Sequence, residues 1–158
     1  MGDIESIAAR LTPRLVELRK KLHEHPELAF EEHETAKAVT DFLHQLGLQT
    51  KTGIGKTGVV AVLKGAKPGR TIGIRADMDA LPIHEQTGLA FPPKIGGKMH
   101  ACGHDVHTVI ALGVAAVLAQ LKNELHGTVK FIFQPAEEGP PVGEEGGAAL
   151  MLKEGLFP

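Results

Sequence analysis

"HTVIALGVAAVLAQLKNELHGTVKFIFQ", residues 107–134, sets two kinds of apolar sequence end to end. Residues 107–125 are strongly apolar over a helix's length, which predicts a helix buried on more than one side. Residues 127–134 are shorter and rich in β-branched and aromatic side chains, which predicts a buried strand. Two more short β-branched runs lie upstream, "GVVAVLKG" (58–65) and "TIGIRADM" (71–78). "AKPGR" between them reads as a turn, so a hairpin or a neighbouring strand pair is expected there. Strands followed by apolar helices indicate an α/β layered fold, with a mixed, largely parallel sheet flanked by helices.

The remaining segments fit around that unit. "DIESIAARLTPRLVELRKKLHEHPE" (3–27) repeats Ile4, Ile7, Leu11, Leu15, Leu18 and Leu22 at helical spacing, and Pro26 ends the run. "FEEHETAKAVTDFLHQLGL" (30–48) predicts a second helix, with Ala36, Val39, Leu43 and Leu46 on one face and Gly47 as its stop. "EEGGAALMLKEGLF" (144–157) begins one more. "GIGKTG" (53–58) holds Gly55-Lys56-Thr57, the end of a phosphate-binding loop pattern. That pattern needs a glycine five positions before Gly55, where Thr50 stands, and should open a helix rather than the strand-like "GVVAVL". A turn between strands is the better reading.

At 158 residues, 42% apolar and 23% charged, the chain is one domain's worth of ordinary globular sequence. Net charge is −2 and no Lys/Arg run is long, which argues against a nucleic-acid surface. The absence of Trp and Tyr argues against base-stacking platforms. One cysteine forms no internal disulfide and fits a reducing compartment, the cytosol. No apolar stretch is long enough to cross a bilayer.

Chemistry-bearing residues gather at three places. "HACGHDVH" (100–107) packs three histidines, an aspartate and the only cysteine into eight positions. Cys102 and His104 stand two apart in a Gly-containing turn ahead of a helix, whose N-terminus would favour the thiolate. A thiolate beside an imidazole suits zinc, and also nickel, cobalt or manganese. A lone cysteine is more often a small buried hydrophobe. With His100, Asp105 and His107 around it, the metal reading is stronger; a papain-like thiol nucleophile is the rival.

"FQPAEEG" (133–139) follows a strand, where α/β sheets place ligands. Adjacent side chains of an extended segment point different ways, so of Glu137 and Glu138 one can bind metal while the other faces a reacting water. A solvated acidic pair is the alternative. "RADMDALP" (75–82) alternates Asp77 and Asp79 at another strand's end, so both should point to one side. They suit metal, a ligand histidine, or a turn cap. Convergence of three such places makes a hydrolytic metal centre more economical than three coincidences.

"LHEHPELAFEEHETA", "RADMDALPI", "HACGHDVHT" and "FQPAEEG", in this order and spacing, resemble the metal-dependent amidohydrolases of the aminoacylase, hippurate hydrolase and indole-acetyl-amino-acid hydrolase type, relatives of the dinuclear zinc carboxypeptidases. The resemblance runs over nearly the whole chain. It implies two divalent metal ions (Zn, Mn, Ni or Co), with Cys102, His104 and Glu138 as ligands. Glu137 would be the general base and Asp79 a supporting group behind the ligands. The implied reaction is metal-assisted hydrolysis of a small N-acyl amino acid or peptide, with no nucleic-acid or membrane partner.

In that family the catalytic domain continues past the paired glutamates. It supplies further histidine ligands and carries an inserted lid and dimerisation domain. This chain ends at "KEGLFP", before them. The resemblance therefore implies that residues 1–158 are the N-terminal part of the catalytic α/β domain, with the lid absent. An open sheet edge and an uncovered apolar face are expected, to be covered by self-association or by the missing C-terminal portion. The alternative is a truncated, non-catalytic metal-binding or interaction module derived from such an enzyme.

Overall fold

The computed structural model describes residues 3–157. Eight elements follow in chain order: α1 (Ile4–Glu24), α2 (His33–Gln45), β1 (Thr50–Ile54), β2 (Gly58–Lys64), β3 (Lys67–Asp77), α3 (His104–Gln120), β4 (His126–Gln134) and α4 (Gly147–Lys153). Helix α1 stops two residues before Pro26, and α2 two residues before Gly47.

The four strands form one mixed sheet in the order β1-β2-β4-β3. Mixed pairing is as expected, but "largely parallel" holds only for β3–β4; β1–β2 and β2–β4 are antiparallel. Strands β2 and β3 are not neighbours either, contrary to the expected pair, because β4 inserts between them. The reason is apolarity. Strand β4 carries Val129, Phe131 and Phe133 on one face and Ile132 on the other, all buried, and a strand buried on both faces takes a central position. Strand β3 is left at an edge, with Ile72 58% exposed. It also begins earlier than expected, running through most of "AKPGR" to reach Lys67 opposite His126. The unexpected strand β1 is polar and short; it forms by hairpin pairing with β2 around the turn read at 53–58.

The sheet's period of two divides its side chains between two cores. Val59, Ala61 and Leu63 of β2 stand opposite Phe133, Phe131 and Val129 of β4, and pack under α2 and α3 with Val39, Leu43, Leu112, Ala115 and Ala116. Full burial of each phenylalanine contributes about 3 kcal/mol. On the other face Val60 and Ile132 meet Ile54, Met151 and Leu156, the small core beneath α4. Helix α3 is buried along most of its length, though Ile110 is exposed.

One consequence positions the site. Strands β3 and β4 run parallel, with Asp77 paired to Gln134, so both strands end at the same edge. Helix α3 connects them and begins at that edge, which is where α/β sheets collect functional groups.

Candidate metal centre

His104, the first residue of α3, is the hub. Gly103 before it takes φ 82, a left-handed turn that suits glycine and swings the chain from the Cys102 loop into the helix. Cys102 and His104 therefore come from a helix start and not from a strand end. The imidazole is buried. Its Nδ1 lies 2.8 Å from the carbonyl oxygen of Asp79 and 3.3 Å from Asp79 Oδ1. With Nδ1–H donating to that carbonyl, Nε2 is the free ring nitrogen.

Three carboxylates surround Nε2: Asp77 Oδ1 at 3.5 Å, Glu138 Oε1 at 3.6 Å and Glu137 Oε2 at 3.8 Å. Asp77 and Asp79 thus face one imidazole, as their alternation suggests. The glutamates do not diverge as expected for an extended segment. Ala136 before them takes φ 48, which breaks the extended run and turns both carboxylates toward His104. Two donors each about 2.1 Å from one tetrahedral ion stand about 3.4 Å apart. The spacing around Nε2 fits shared coordination better than direct hydrogen bonding. His104, Glu137 and Glu138 offer donor atoms within 4.8 Å of one another, and so do Asp77, His104 and His107.

The surroundings tune these groups. Burial works against a charged His104, but the hydrogen bond to Asp79 and the charge of Asp77 outweigh it and lift the imidazole to about 8. Burial also works to raise Asp79. The His104 ring and the backbone N–H groups of Glu138 and Glu137 overcome this and hold the carboxyl below its usual range. One of those bonds, Glu138 N–H to Asp79 Oδ2, measures 2.9 Å. Cys102 is exposed. Its thiol is pushed up by a hydrogen bond to Glu138, by partial desolvation, and by the charges of Glu138, Glu137 and Asp79. The expected thiolate-favouring effect of the helix start is therefore outweighed; Cys102 lies beside Glu138 but belongs to neither group of donor atoms gathered within 4.8 Å around His104. His100 is buried with no hydrogen-bond partner among the described residues, and desolvation drives it down to about 4.

Two further sets of residues support the centre, and of them only Asp105 stands out in the sequence, as a neighbour of Cys102. Asp105, next to His104, is buried against Arg19 Nε at 2.9 Å and His23 Nδ1 at 2.8 Å, tying α1 to the start of α3. His23 Nε2 reaches Glu85 at 3.1 Å, which adds the 82–99 loop. Glu32 is buried beneath Ala136 and accepts its backbone N–H at 2.8 Å. For His23 and Glu32 the signals in the sequence were their place in "LHEHPELAFEEHETA" and a charge there beyond what an amphipathic helix surface needs.

Residues 73–157, more than half of the chain, match peptidase family M20/M25/M40. The chain is 46% identical over 144 residues to thermostable carboxypeptidase 1 of Saccharolobus solfataricus, covering 90% of this chain and 36% of the relative. It is 53% identical over 126 residues to N-acetylcysteine deacetylase of Bacillus subtilis, covering 79% and 33%. A solved structure, the YXEP protein of Bacillus subtilis, described as a dinuclear metal binding peptidase from the M20 family, superposes with a TM-score of 0.84 at 46% identity, covering 96% and 40%. The chain thus spans about a third of the length of these curated relatives.

Proposed function

The chain belongs to peptidase family M20/M25/M40, and from that premise we propose that it supplies part of the catalytic domain of a metal-dependent hydrolase cleaving the amide bond of N-acyl amino acids or related small amides and peptides. The observation that carries this reading is the ring of donors around His104 Nε2, at spacings of 3.5–3.8 Å. The named activities of its relatives, on an N-acetylated amino acid and on peptides, support the substrate class.

In this reading Cys102, His104 and Glu138 hold two divalent ions of the zinc, manganese, nickel or cobalt kind. Bound ions supply Lewis acidity and lower the pKa of water toward neutrality. Glu137 accepts the proton of the attacking water and hands it to the departing amine. It is suited to both because it is half-exposed at the mouth of the centre, with Arg75 4.0 Å away. Asp79 is a positioning residue: its carbonyl fixes the His104 ring and its carboxylate fixes the Glu138 backbone. A cysteine hydrolase is disfavoured, because the carboxylates that raise the Cys102 thiol oppose a nucleophilic thiolate while favouring a nearby cation.

The free, exposed thiol supports a reducing compartment such as the cytosol. Among the described residues no helix is long and apolar enough to cross a membrane. Exposed Ile72 on edge strand β3 supports coverage of that edge by further chain or a second copy.

The reading is tested on the complete gene product by elemental analysis of wild type and Cys102→Ser, and by release of amino acid from N-acetyl and N-benzoyl substrates. The expected results are metal loss in the variant and chelator-sensitive hydrolysis that Glu137→Gln abolishes. Unchanged metal content, or hydrolysis that thiol alkylation stops and chelators do not, overturns it.

A further inference from the structure

We propose that Glu32 is the positioning residue of the Glu137–Glu138 turn, acting through the backbone of Ala136. Glu32 lies 104 positions earlier in the chain and is fully buried. One carboxyl oxygen accepts the Ala136 N–H at 2.8 Å, and the other accepts the Thr57 hydroxyl.

Ala136 is where the turn is decided. It is buried and takes φ 48, a left-handed conformation that a residue with a side chain adopts only at a cost. It stands between the end of β4 and Glu137, so its backbone angles set where the two carboxylates go. The surroundings clamp it from a second side. Its carbonyl accepts the Gly147 N–H at 3.2 Å, and a Cβ on Gly147 would lie 1.8 Å from the carbonyl oxygen of Pro135. Helix α4 therefore begins in contact with the turn, and Glu32 holds the opposite side.

Local folding does not explain Glu32. It occupies the N-cap position of α2 but makes no side-chain cap bond there. Glu27 does that work, accepting the N–H groups of Glu34 at 3.0 Å and Thr35 at 2.8 Å. Glu32 is thereby released to cross the fold. A buried carboxyl is expensive unless its hydrogen bonds are satisfied, and the side-chain bonds of this one go to the β1–β2 turn and the β4 turn. Burial also raises its pKa, against opposing bonds from Thr57, from the Ala136 backbone and, locally, from the backbone of Glu32 and Phe30, so a neutral side chain of the same shape can take its place. That the turn serves a hydrolytic centre rests on the function proposed above; that Glu32 sets the turn's geometry does not.

The test compares wild type, Glu32→Gln, Glu32→Ala and Glu32→Asp by residue-resolved amide hydrogen exchange and by titration with Co²⁺ followed in the visible spectrum. In Glu32→Gln the carboxamide oxygen still accepts from Ala136 while its NH₂ group donates to Thr57, so Ala136 protection and Co²⁺ affinity stay near wild type. In Glu32→Ala the Ala136 amide exchanges at least about tenfold faster and Co²⁺ affinity falls about 10–100-fold, while the Phe131 amide in the sheet is unchanged. Wild-type exchange at Ala136 in Glu32→Ala overturns the proposal, and so does an equal loss in the Gln and Ala variants. Should Glu32→Ala not fold, Glu32→Asp decides, because its shorter side chain cannot reach: faster Ala136 exchange supports the proposal and wild-type exchange overturns it. A complete wild-type protein that binds no Co²⁺ would defeat the function proposed above, and Ala136 exchange would still decide the role of Glu32.

Discussion

The two sides of the candidate centre are held by opposite means. The glutamate side is built on dry polar tethers: Glu32 on the Ala136 amide, Asp79 on the Glu138 amide, and Gly147 on the Ala136 carbonyl. The thiol side has one firm member and one loose one. His104 is buried and fixed by Asp79, whereas Cys102, two residues away, is exposed and lies beside Glu138, near carboxylates that resist its ionisation. The difference teaches that this fold preorganises its hard oxygen and nitrogen donors. The exposed thiol is left unfixed, and under the proposed function a bound cation would organise it.

The largest expected effect breaks the glutamate side at its chemistry. Glu137→Gln should lower turnover by about 10²–10⁴-fold with metal content unchanged, read by parallel rate and elemental measurements; loss of metal would instead place Glu137 among the ligands. Next is the link between the sides. Asp79→Asn keeps the carbonyl but weakens the hold on the Glu138 backbone, and should reduce Co²⁺ affinity about 10–100-fold in a titration. An undiminished affinity would show that the two sides are independent.

A smaller effect sharpens the contrast through pH. Burial raises the Glu32 carboxyl above its usual value of 4.5. Above that pH the unfolded chain releases a proton that the folded chain still holds, so this group's favourable contribution is present below the unfolded value and fades as pH rises through the folded one. Glu32→Gln removes that titration. Its stability relative to wild type should increase as pH rises above 4.5, as measured by urea midpoints; parallel curves would remove the premise of a buried, costly carboxyl. The smallest effect is on the thiol side. Cys102→Ser should leave the urea midpoint of the metal-free protein unchanged in the same assay, since the side chain is exposed, even though metal content falls.

Particular residues show what was readable in advance. The helix-then-strand pattern of 107–134 gave α3 and β4 to within a few residues, because apolar periodicity reports burial directly. The grouping of Asp77, Asp79, His104, Glu137 and Glu138 could be anticipated because parallel strands joined by a helix end at one edge. Strand order was not readable: the short link between β2 and β3 suggested neighbours, and the greater apolarity of β4 displaced β3 to the edge. Nor was the thiol's environment, since the expected helix-start effect is local and the opposing carboxylates come from other segments.

The sequence by itself determined the element types, the apolar faces, and the kinds of donor available at each turn, because those follow from side-chain chemistry and short-range spacing. Only the tertiary structure decided that Glu32 lies under Ala136, that His23 and Arg19 meet Asp105, and that both glutamates turn toward His104. Those contacts join residues tens to a hundred positions apart. Their partners are chosen by how the sheet and helices pack, which no local pattern records.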